Sequence, residues 1–338
     1  MIYIGGQAPW LQTVETLNVF NHLLDDSIGY LNYTEYHNTL KLTAYSLPQA
    51  IADNPSIRTL LVDASVDPWD PLYVLDDLNK LNLPVKIVTL TSNYEYDKLD
   101  AENIFFFPLF LVIIGQNRYY GPSTSRKYLA NCLNRVGKPF RAVNLIELYK
   151  RPWSKDCYAT FHDYQYTPKS NLWKGELTTE ELAEFKKFKI PMCYDSTELT
   201  GMQQHQINIP AYYGSYLSIV TESTVNFPFI SEKVAKPILA EQLFTVVGAA
   251  GCVQQIHQLG FDMCYDFIDH NHYDFEPDWR LRIKKMYEVL DPIMSFDIME
   301  KATATLSPRL KANAAYLKSD GLVNRFVEPI IKKLLCYT

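Results

Sequence analysis

The chain has 338 residues, of which 47% are hydrophobic and 21% charged, a composition typical of an ordinary soluble globular protein of about two domains. Its net charge of -6 is unevenly distributed: residues 1–120 hold 6 Lys and Arg against 14 Asp and Glu, and the remainder is slightly basic. Because nucleic-acid backbones are held by Lys and Arg, this imbalance argues against a DNA duplex bound to the first 120 residues.

The six cysteines and the apolar runs argue against further classes of protein. The cysteines are scattered without C-x-x-C spacing, which is typical of reduced thiols and unlike a disulfide framework or a cysteine zinc site. The N-terminal MIYIGGQAPW lacks the basic and apolar regions of a signal peptide, and the longest apolar run, IFFFPLFLVII, is interrupted by Pro108 and too short for a membrane span. We therefore expect a cytoplasmic protein without a membrane span.

In residues 1–120, short apolar runs alternate with segments of helical spacing. The strand-like runs are IYIGG, RTLLVDAS, PVKIVTLTS and NIFFFPLF, and the helical segments are TVETLNVFNHLL and PLYVLDDLNKL. This alternation predicts an α/β domain with a largely parallel sheet. The turn after the first strand lacks G-x-G-x-x-G, and the chain has no G-x-x-x-x-G-K-[ST], so a nicotinamide enzyme and a P-loop NTPase are disfavoured.

Gly, Pro, Ser and Thr gather in NRYYGPSTSRK, residues 117–127, where the charge balance also changes sign. We place the domain boundary there, after residue 120. The second half alternates YLANCL, AVNLIELY, CYATF, SYLSIVTES and LFTVV, and from Asp278 onward the pattern is helical. The predicted fold is α/β, with two Rossmann-like domains, 1–120 and 121–338, and a helical C-terminal segment. Such sheets bind ligands at the carboxyl ends of their strands.

The stretch FPFISEKVAKPILAEQLFTVVGAAG, residues 227–251, carries Glu232 and Lys233 ahead of an apolar strand. Ser231 fits the N-cap of a helix with Glu232 in its first turn, where the positive end of the helix dipole favours an acid. Pro237 leaves two alternatives: it lies inside that helix, or it opens the helix and leaves Lys233 in a loop. In both, Lys233 lies near backbone N–H groups that favour an anion.

Glu222 ends the apolar run SYLSIVTE ten residues before Glu232, so two carboxylates and a lysine are expected to converge at one edge of the sheet. This run, followed by I-S-E-K, a helix and FTVVGAAG, resembles the donor-binding signature of the α-1,3-fucosyltransferase family. In that family an apolar strand ends in Glu-Asn, and [ST]-E-K follows with the same separation between the two Glu. The upstream YLANCLNRVGKPFR resembles the segment that opens the family's C-terminal domain. The resemblance covers residues 127–275.

The resemblance implies a glycosyltransferase of GT-B architecture, in which two Rossmann-like domains face a cleft, with a nucleotide-diphosphate sugar as co-substrate and no cofactor. It assigns Lys233 to the donor phosphate and Glu232 to the ribose, with Glu222 and Ser223 beside them. Ser223 stands where the family has Asn, and Phe229 stands where an aromatic residue with a hydroxyl can occur. The resemblance therefore implies a nucleotide-diphosphate sugar without singling out its base or sugar.

The upstream segment adds Asn134, Arg135 and Arg141 to the implied site, with the two arginines helping to neutralise the diphosphate. They lie in residues 126–155, which hold eight basic residues and one acid and suit an anion. A solvated basic face is the alternative interpretation of this segment. Lys236 is expected to have a surface or supporting role.

A glycosyl transfer expels a nucleoside diphosphate, whose charge is met by a metal ion or by Lys and Arg. The chain has no D-x-D motif, and its local basic excess favours transfer without a metal.

An inverting transfer also needs a carboxylate base. The candidates are Asp63, Asp67 and Glu95, which follow predicted strands of the acidic domain, and a loop or capping role is the alternative for each. Trp10 and Trp69 lie near those strand ends and could stack on a sugar, although we favour core packing.

The acceptor stays open between a glycan, which is the family default, and a hydroxymethylated base in DNA, for which residues 126–155 would supply phosphate contacts. A non-catalytic nucleotide-sugar binding or scaffold protein is the alternative function, and the oligomeric state is open.

A separate group of acids and histidines lacks the helical spacing of metal ligands and is expected to be a solvated loop rather than a metal site. Its members are Asp266, Asp269, His270, His272 and Asp274.

Overall fold

The computed structural model describes residues 2–3, 20, 26–38, 47–65, 69–94, 103–115, 126–164, 176–189, 192 and 209–336. Its strands are β1 (Ile2–Tyr3), β2 (Ile28–Asn32), β3 (Thr59–Asp63), β4 (Lys86–Thr91), β5 (Ile104–Phe106), β6 (Tyr128–Val136), β7 (Tyr158–Tyr164), β8 (Ser215–Thr221) and β9 (Leu243–Val247). Its α-helices are α1 (Tyr33–Asn38), α2 (Leu47–Ala52), α3 (Pro71–Asn79), α4 (Leu109–Gly115), α5 (Pro139–Tyr149), α6 (Thr179–Phe185), α7 (Ile209–Tyr212), α8 (Glu232–Leu239), α9 (Cys252–Gln258), α10 (Trp279–Leu290), α11 (Phe296–Leu317) and α12 (Asp320–Leu335). Short 3-10 helices span Pro152–Asp156 and His270–His272.

The first sheet has five parallel strands in the order β1-β2-β3-β4-β5. Every residue of β2 and β3 is buried, as expected for parallel strands covered on both faces, whose sequences are apolar runs rather than alternating patterns. The pairing of Asn32 with Asp63 places the ends of these two strands side by side. The loops and helices that follow β2 and β3 therefore begin at one edge of the sheet.

The second sheet has four parallel strands in the order β7-β6-β8-β9. The chain leaves β6 for β7 on one side and then returns to β8 on the other side of β6. Neighbouring parallel strands whose connections diverge in this way form a topological switch point, where ligands bind at the carboxyl ends of the strands. In this sheet that point lies between the ends of β6 and β8.

The chain divides into two compact units. Their bounds differ from those of the two predicted domains, 1–120 and 121–338. The first unit comprises Met1–Gln116, Phe229–Ser231 and Lys318–Thr338, and the second comprises Asn117–Pro228 and Glu232–Leu317. The predicted boundary after residue 120 lies outside the described residues. The assignment of 318–338 to the second domain differs from this division, because α12 groups with the first unit.

The physical reason is the apolar face of α12. The ring of Phe326 contacts that of Phe106 on β5 edge-on, with centroids 5.7 Å apart. The helix therefore completes the core of the first unit although it is the last helix in the sequence. Its buried side chains are Leu322, Phe326, Val327, Ile330 and Leu334.

The helical C-terminal pattern is confirmed. Its longest member is the 22-residue helix α11, which has Pro308 inside it. No helix in the described ranges combines the length and apolarity that crossing a bilayer requires.

Candidate functional site

Polar and charged side chains follow β6 and β8 at the switch point of the second sheet. Arg135 lies near the end of β6, where the pairing with β7 shifts register between Asn134 and Val136. Such irregularities re-aim a side chain relative to a regular strand. Lys138 follows the strand and donates from its Nζ to the backbone carbonyl of Ser223, which follows β8. The ends of the two strands are thus joined through a lysine.

Helix α8 brings Glu232 and Lys233 to this edge. Lys233 Nζ lies 3.0 Å from Glu232 Oε1 and 3.3 Å from the hydroxyl of Ser223. The structure decides between the two alternatives for Pro237, which lies inside α8, so that Lys233 is helical. Because proline has no N–H, it cannot donate to the carbonyl of Lys233.

Glu222, the other predicted carboxylate, is fully buried and is linked to Glu232 through a chain of contacts. Its Oε2 accepts from the backbone N–H of Ser223 at 3.1 Å, and its own N–H donates to Val247 of β9 at 2.9 Å. The contacts run from Glu222 to Ser223, then to Lys233 and Glu232. The predicted convergence of two carboxylates and a lysine at one sheet edge is therefore present.

Electrostatics keep Glu232 ionised. Burial raises the pKa of this carboxyl, but the positive charges of Lys233 and Lys236 outweigh that effect and lower its pKa to about 2. The pKa of Lys236 is lowered to about 8, mainly by burial and also by the charges of Lys233 and Arg135, which together outweigh the opposing charge of Glu232. Lys236 therefore shares the electrostatic environment of the site and is not a remote surface lysine.

Asn134 and Arg141 are buried and hydrogen-bonded within the second unit, and their contact with a ligand stays a prediction. Asn134 is buried, and its Oδ1 accepts from the hydroxyl of Thr221 at 2.5 Å. The buried guanidinium of Arg141 donates to the carbonyls of Val136 at 2.8 Å and Glu222 at 2.9 Å. Both side chains tie the end of β6 to the end of β8, because buried carbonyl and amide groups need partners.

The basic segment 126–155 does not form one surface. Arg126 donates to the carbonyl of Ser215, the first residue of β8, whereas Arg135 lies near the opposite end of β6. A nine-residue strand at ~3.3 Å per residue separates the two by about 30 Å. Arg151 pairs with Glu147 on α5. Of the eight basic residues, Arg135, Lys138 and Arg141 lie at the switch point, and the other five do not share one surface with them.

No family model matches this chain, and none of the curated proteins matches it. Any functional interpretation therefore depends on the arrangement of side chains at the switch point. The cations there are Arg135, Lys138, Arg141, Lys233 and Lys236, and the carboxylates are Glu222 and Glu232; of the cations, Arg141 donates to main-chain carbonyls. Such a set can hold a ligand that carries more than one negative charge and also has hydroxyl groups, because carboxylates accept hydrogen bonds from hydroxyls.

Of the predicted catalytic bases, Asp63 lies in the described residues, and Asp67 and Glu95 lie outside them. Asp63 ends β3 and is fully buried. Its Oδ2 accepts from the hydroxyl of Tyr30 at 2.6 Å, and its Oδ1 accepts from the backbone N–H of Ser65 at 2.9 Å and from the Ser65 hydroxyl. Because both carboxylate oxygens accept hydrogen bonds, one of them in the turn that follows β3, Asp63 fits the loop role that was the alternative to a catalytic base.

The group of acids and histidines after α9 is in part the solvated loop that the sequence predicted, since Asp266, Asp269 and His272 are exposed, whereas His270 and Asp274 are buried. His270 is buried between the hydroxyl of Tyr273, 2.7 Å from Nδ1, and the carbonyl of Met263, 3.0 Å from Nε2, and burial lowers its pKa to about 4. Asp274 caps α9 by accepting from the N–H groups of Val253 and Gln254. Within the described ranges, no three His, Cys, Asp or Glu side chains come close enough to hold a metal ion.

The sequence analysis did not include Lys138 among the site residues, and it gave Lys236 only a surface or supporting role. The sequence holds a signal for each of these positions. Lys138 directly precedes the Pro that opens α5, so it follows the end of a strand in a parallel sheet. Lys236 is four residues after Glu232 and so shares its face of any helix formed there.

Proposed function

We propose that the protein is a glycosyltransferase that moves a sugar from a nucleotide-diphosphate sugar to an acceptor hydroxyl, with inversion and without a metal ion. Its two units would then be the domains of a GT-B enzyme. The observation that carries the proposal is the pairing of Lys233 with an ionised Glu232 at the switch point of the second sheet. The resemblance of this stretch to a donor-binding signature supports the same interpretation.

The chemistry requires charge at the leaving group. As the bond between the sugar and the phosphate breaks, negative charge grows on the nucleoside diphosphate. Lys233 carries an ammonium group in a site whose other cations, Arg135 and Lys236, supply further positive charge without a metal ion. A charge-assisted contact to phosphate contributes ~2 kcal/mol, which is roughly 30-fold in affinity or rate.

Glu232 suits the ribose of the donor. A carboxylate accepts hydrogen bonds, and the two hydroxyls of a ribose are donors at a spacing that one carboxylate can engage. The low pKa of Glu232 keeps this acceptor ionised throughout the physiological range. Lys233 and Glu232 thus divide the donor between them, one binding phosphate and the other binding the sugar of the nucleoside.

The acceptor and the base belong to the first unit in this proposal. Asp67 and Glu95 remain the candidates for the base, because the carboxylate of Asp63 is occupied. The acceptor is a glycan or a hydroxymethylated base in DNA. Transfer to either would require the base to lie within hydrogen-bond reach of the attacking hydroxyl.

Donor binding is tested by a thermal-shift screen with GDP-, UDP- and CMP-sugars, followed by calorimetric titration of the best ligand into Lys233→Ala. A ligand at 100 times its Kd raises the free energy of unfolding by about 2.7 kcal/mol. We expect the variant to bind roughly 30-fold more weakly. Lys301→Ala is the matched control, because Lys301 is an exposed lysine on α11 whose side chain is 75% accessible. Equal affinity in Lys233→Ala and the control would contradict the proposal.

Turnover separates an enzyme from a non-catalytic binding protein. Nucleotide released from the donor is followed with a phosphatase-coupled assay, in the presence of oligosaccharides or of DNA containing hydroxymethylcytosine. Release that depends on an acceptor and falls in Lys233→Ala supports a transferase. Binding of the donor with equal background release in the wild type and the variant would instead favour the scaffold alternative.

A further inference from the structure

The turn Phe229–Ser231 directly precedes α8, the helix that carries Glu232 and Lys233. The chain leaves the second unit after Pro228, passes through this turn, which groups with the first unit, and returns to the second unit at Glu232. All three residues of the turn are at most 2% exposed. The start of the helix that carries the candidate donor site is therefore attached to a buried turn of the first unit.

Phe229 holds this turn in the first unit through both its backbone and its ring. The backbone forms an antiparallel bridge with Asn93, two residues beyond the end of β4. The ring lies edge-on against that of Phe110 on α4, with the centroids 6.4 Å apart at an interplanar angle of 74°. Because a buried ring leaves a cavity when it is removed, the position of the turn depends on this side chain.

The segment to which Phe229 pairs is itself fixed within the first unit. Ser92 donates from its hydroxyl to the carbonyl of Ser65, which follows β3, at 2.6 Å. The backbone N–H of Asn93 donates to Oγ1 of Thr91 at 3.1 Å. Ser92 and Asn93 are buried, and buried polar groups that have their partners keep one arrangement. The turn is thus held against a rigid edge of the first sheet.

Helix α8 has little capacity to hold its own first turn. It has eight residues, and isolated helices shorter than ~12–15 residues are marginal in water. Pro237 lies inside it, so the carbonyl of Lys233 cannot receive the usual helical hydrogen bond from the residue four positions on. The position of the first turn of α8 is therefore set by its packing and by the turn that precedes it.

We propose that Phe229 is a positioning residue for the candidate donor site. It holds the turn 229–231 and so fixes where α8 begins and where the ammonium group of Lys233 lies. That ammonium group is 3.0 Å from Glu232 Oε1 and 3.3 Å from the hydroxyl of Ser223, and a displaced start of α8 would remove it from this set. The control of α8 by Phe229 depends on the fold alone, whereas its effect on a diphosphate ligand rests on the proposed function.

The test uses two variants of the full chain that release α8 in different ways. Phe229→Ala removes the ring that holds the turn, and one glycine inserted between Ser231 and Glu232 keeps the ring but loosens its link to the helix. Hydrogen exchange followed by mass spectrometry reports on α8. Calorimetric titration with inorganic pyrophosphate, which has the charges of the donor's diphosphate without its base, reports on the site. In both variants we expect exchange in α8 to become about tenfold faster and the affinity for pyrophosphate to fall about tenfold.

Each variant has a matched control. Leu78→Ala removes a buried side chain from another core cluster of the first unit, which includes Leu60 and Val74. One glycine inserted between Leu317 and Lys318 loosens a different point at which the chain passes between the units. Neither control should change exchange in α8 or the affinity for pyrophosphate. Phe229→Leu keeps most of the buried volume and should stay within about threefold of the wild type in both measurements.

Unchanged exchange in α8 in both variants, or the same acceleration in the controls, would overturn the proposal, because the turn would then not fix the helix. Faster exchange in α8 with an unchanged affinity for pyrophosphate would also overturn it, since the position of Lys233 would then not depend on the turn. Failure of the wild type to bind pyrophosphate would count against the proposed function. In that case the exchange data alone decide whether Phe229 holds α8, so the two failures give different results.

Discussion

The ionisation of Glu232 shows how neighbouring residues set the chemistry of the candidate donor site. Its pKa is lowered from its ordinary value of 4.5 to about 2, mainly because the charges of Lys233 and Lys236 outweigh the opposing effect of burial. A carboxyl whose pKa is lower in the folded state stabilises the protein above pH 4.5. That stabilisation is lost as the pH falls from about 4.5 to about 2.

We therefore predict a pH-dependent effect of Glu232→Gln, which keeps the shape of the side chain and removes its charge. At pH 7 the variant should be less stable than the wild type by about 3 kcal/mol, and the difference should shrink steadily below pH 4.5. Urea denaturation at pH 7, 4 and 3 measures this difference. A difference that stays constant over this range would mean that Glu232 is not held ionised by the lysines.

Lys236 should make ligand binding at the site depend on pH in the alkaline range, where Glu232 does not titrate. Its pKa of about 8 means that the ammonium group loses its proton between pH 7 and 9, next to Glu232, Lys233 and Arg135. We predict that the affinity for a nucleotide sugar, whose diphosphate does not titrate in this range, falls roughly tenfold from pH 7 to pH 9. Calorimetry on Lys236→Arg, which stays charged, should show a flat profile; a profile that still falls would assign the effect to another group.

The residue scale is also where prediction from sequence was weakest. Arg135 and Arg141 are both polar members of one motif, and the pattern gave them the same role. The structure separates them because Arg135 lies at a register shift of β6, whereas Arg141 faces the interior from α5 and meets two strand-end carbonyls. The position of each guanidinium depends on packing between elements, and no local spacing encodes it.

At the scale of elements, Arg141 joins two strands. Its guanidinium donates to Val136 at the end of β6 and to Glu222 after β8, and both acceptors are main-chain carbonyls. We predict that Arg141→Ala destabilises the protein by about 3 kcal/mol, because buried carbonyls lose charged donors. Urea denaturation checks this, with Lys150→Ala at the exposed end of α5 as control. Weaker nucleotide binding with unchanged stability would show that Arg141 contacts the ligand instead.

Strands with continuous apolar sequence were the elements that the sequence predicted best. β3, β4, β8 and β9 all lie within predicted runs, since burial on both faces leaves a simple pattern, and β6 extends three residues beyond its predicted run YLANCL. The strand β2, with the sequence IGYLN, was missed because Gly29 and Asn32 interrupt its apolar pattern. Asn32 is buried at the edge of the sheet, where polar residues interrupt the apolar pattern.

At the scale of the whole molecule, sequence order did not indicate which core α12 completes. The helical pattern from Asp278 onward correctly predicted a helix here, and the structure buries one face of it. An apolar stripe fits any complementary core, however, and the prediction assigned the helix to the domain next to it in sequence. The observed grouping with the first unit depends on contacts with residues more than 200 positions away, such as that between Phe326 and Phe106.

This long-range contact predicts how a single substitution propagates. Phe326→Ala removes a buried ring that packs on β5, so we expect a loss of about 3–5 kcal/mol in the stability of the first unit. Hydrogen exchange followed by mass spectrometry should show faster exchange in β3, β4 and β5, which belong to that unit, and unchanged exchange in β6 and β8. Lys332→Ala, on the exposed face of the same helix, should change neither set of strands. Faster exchange in β6 and β8 alone would mean that α12 stabilises the second unit, as its position in the sequence had suggested.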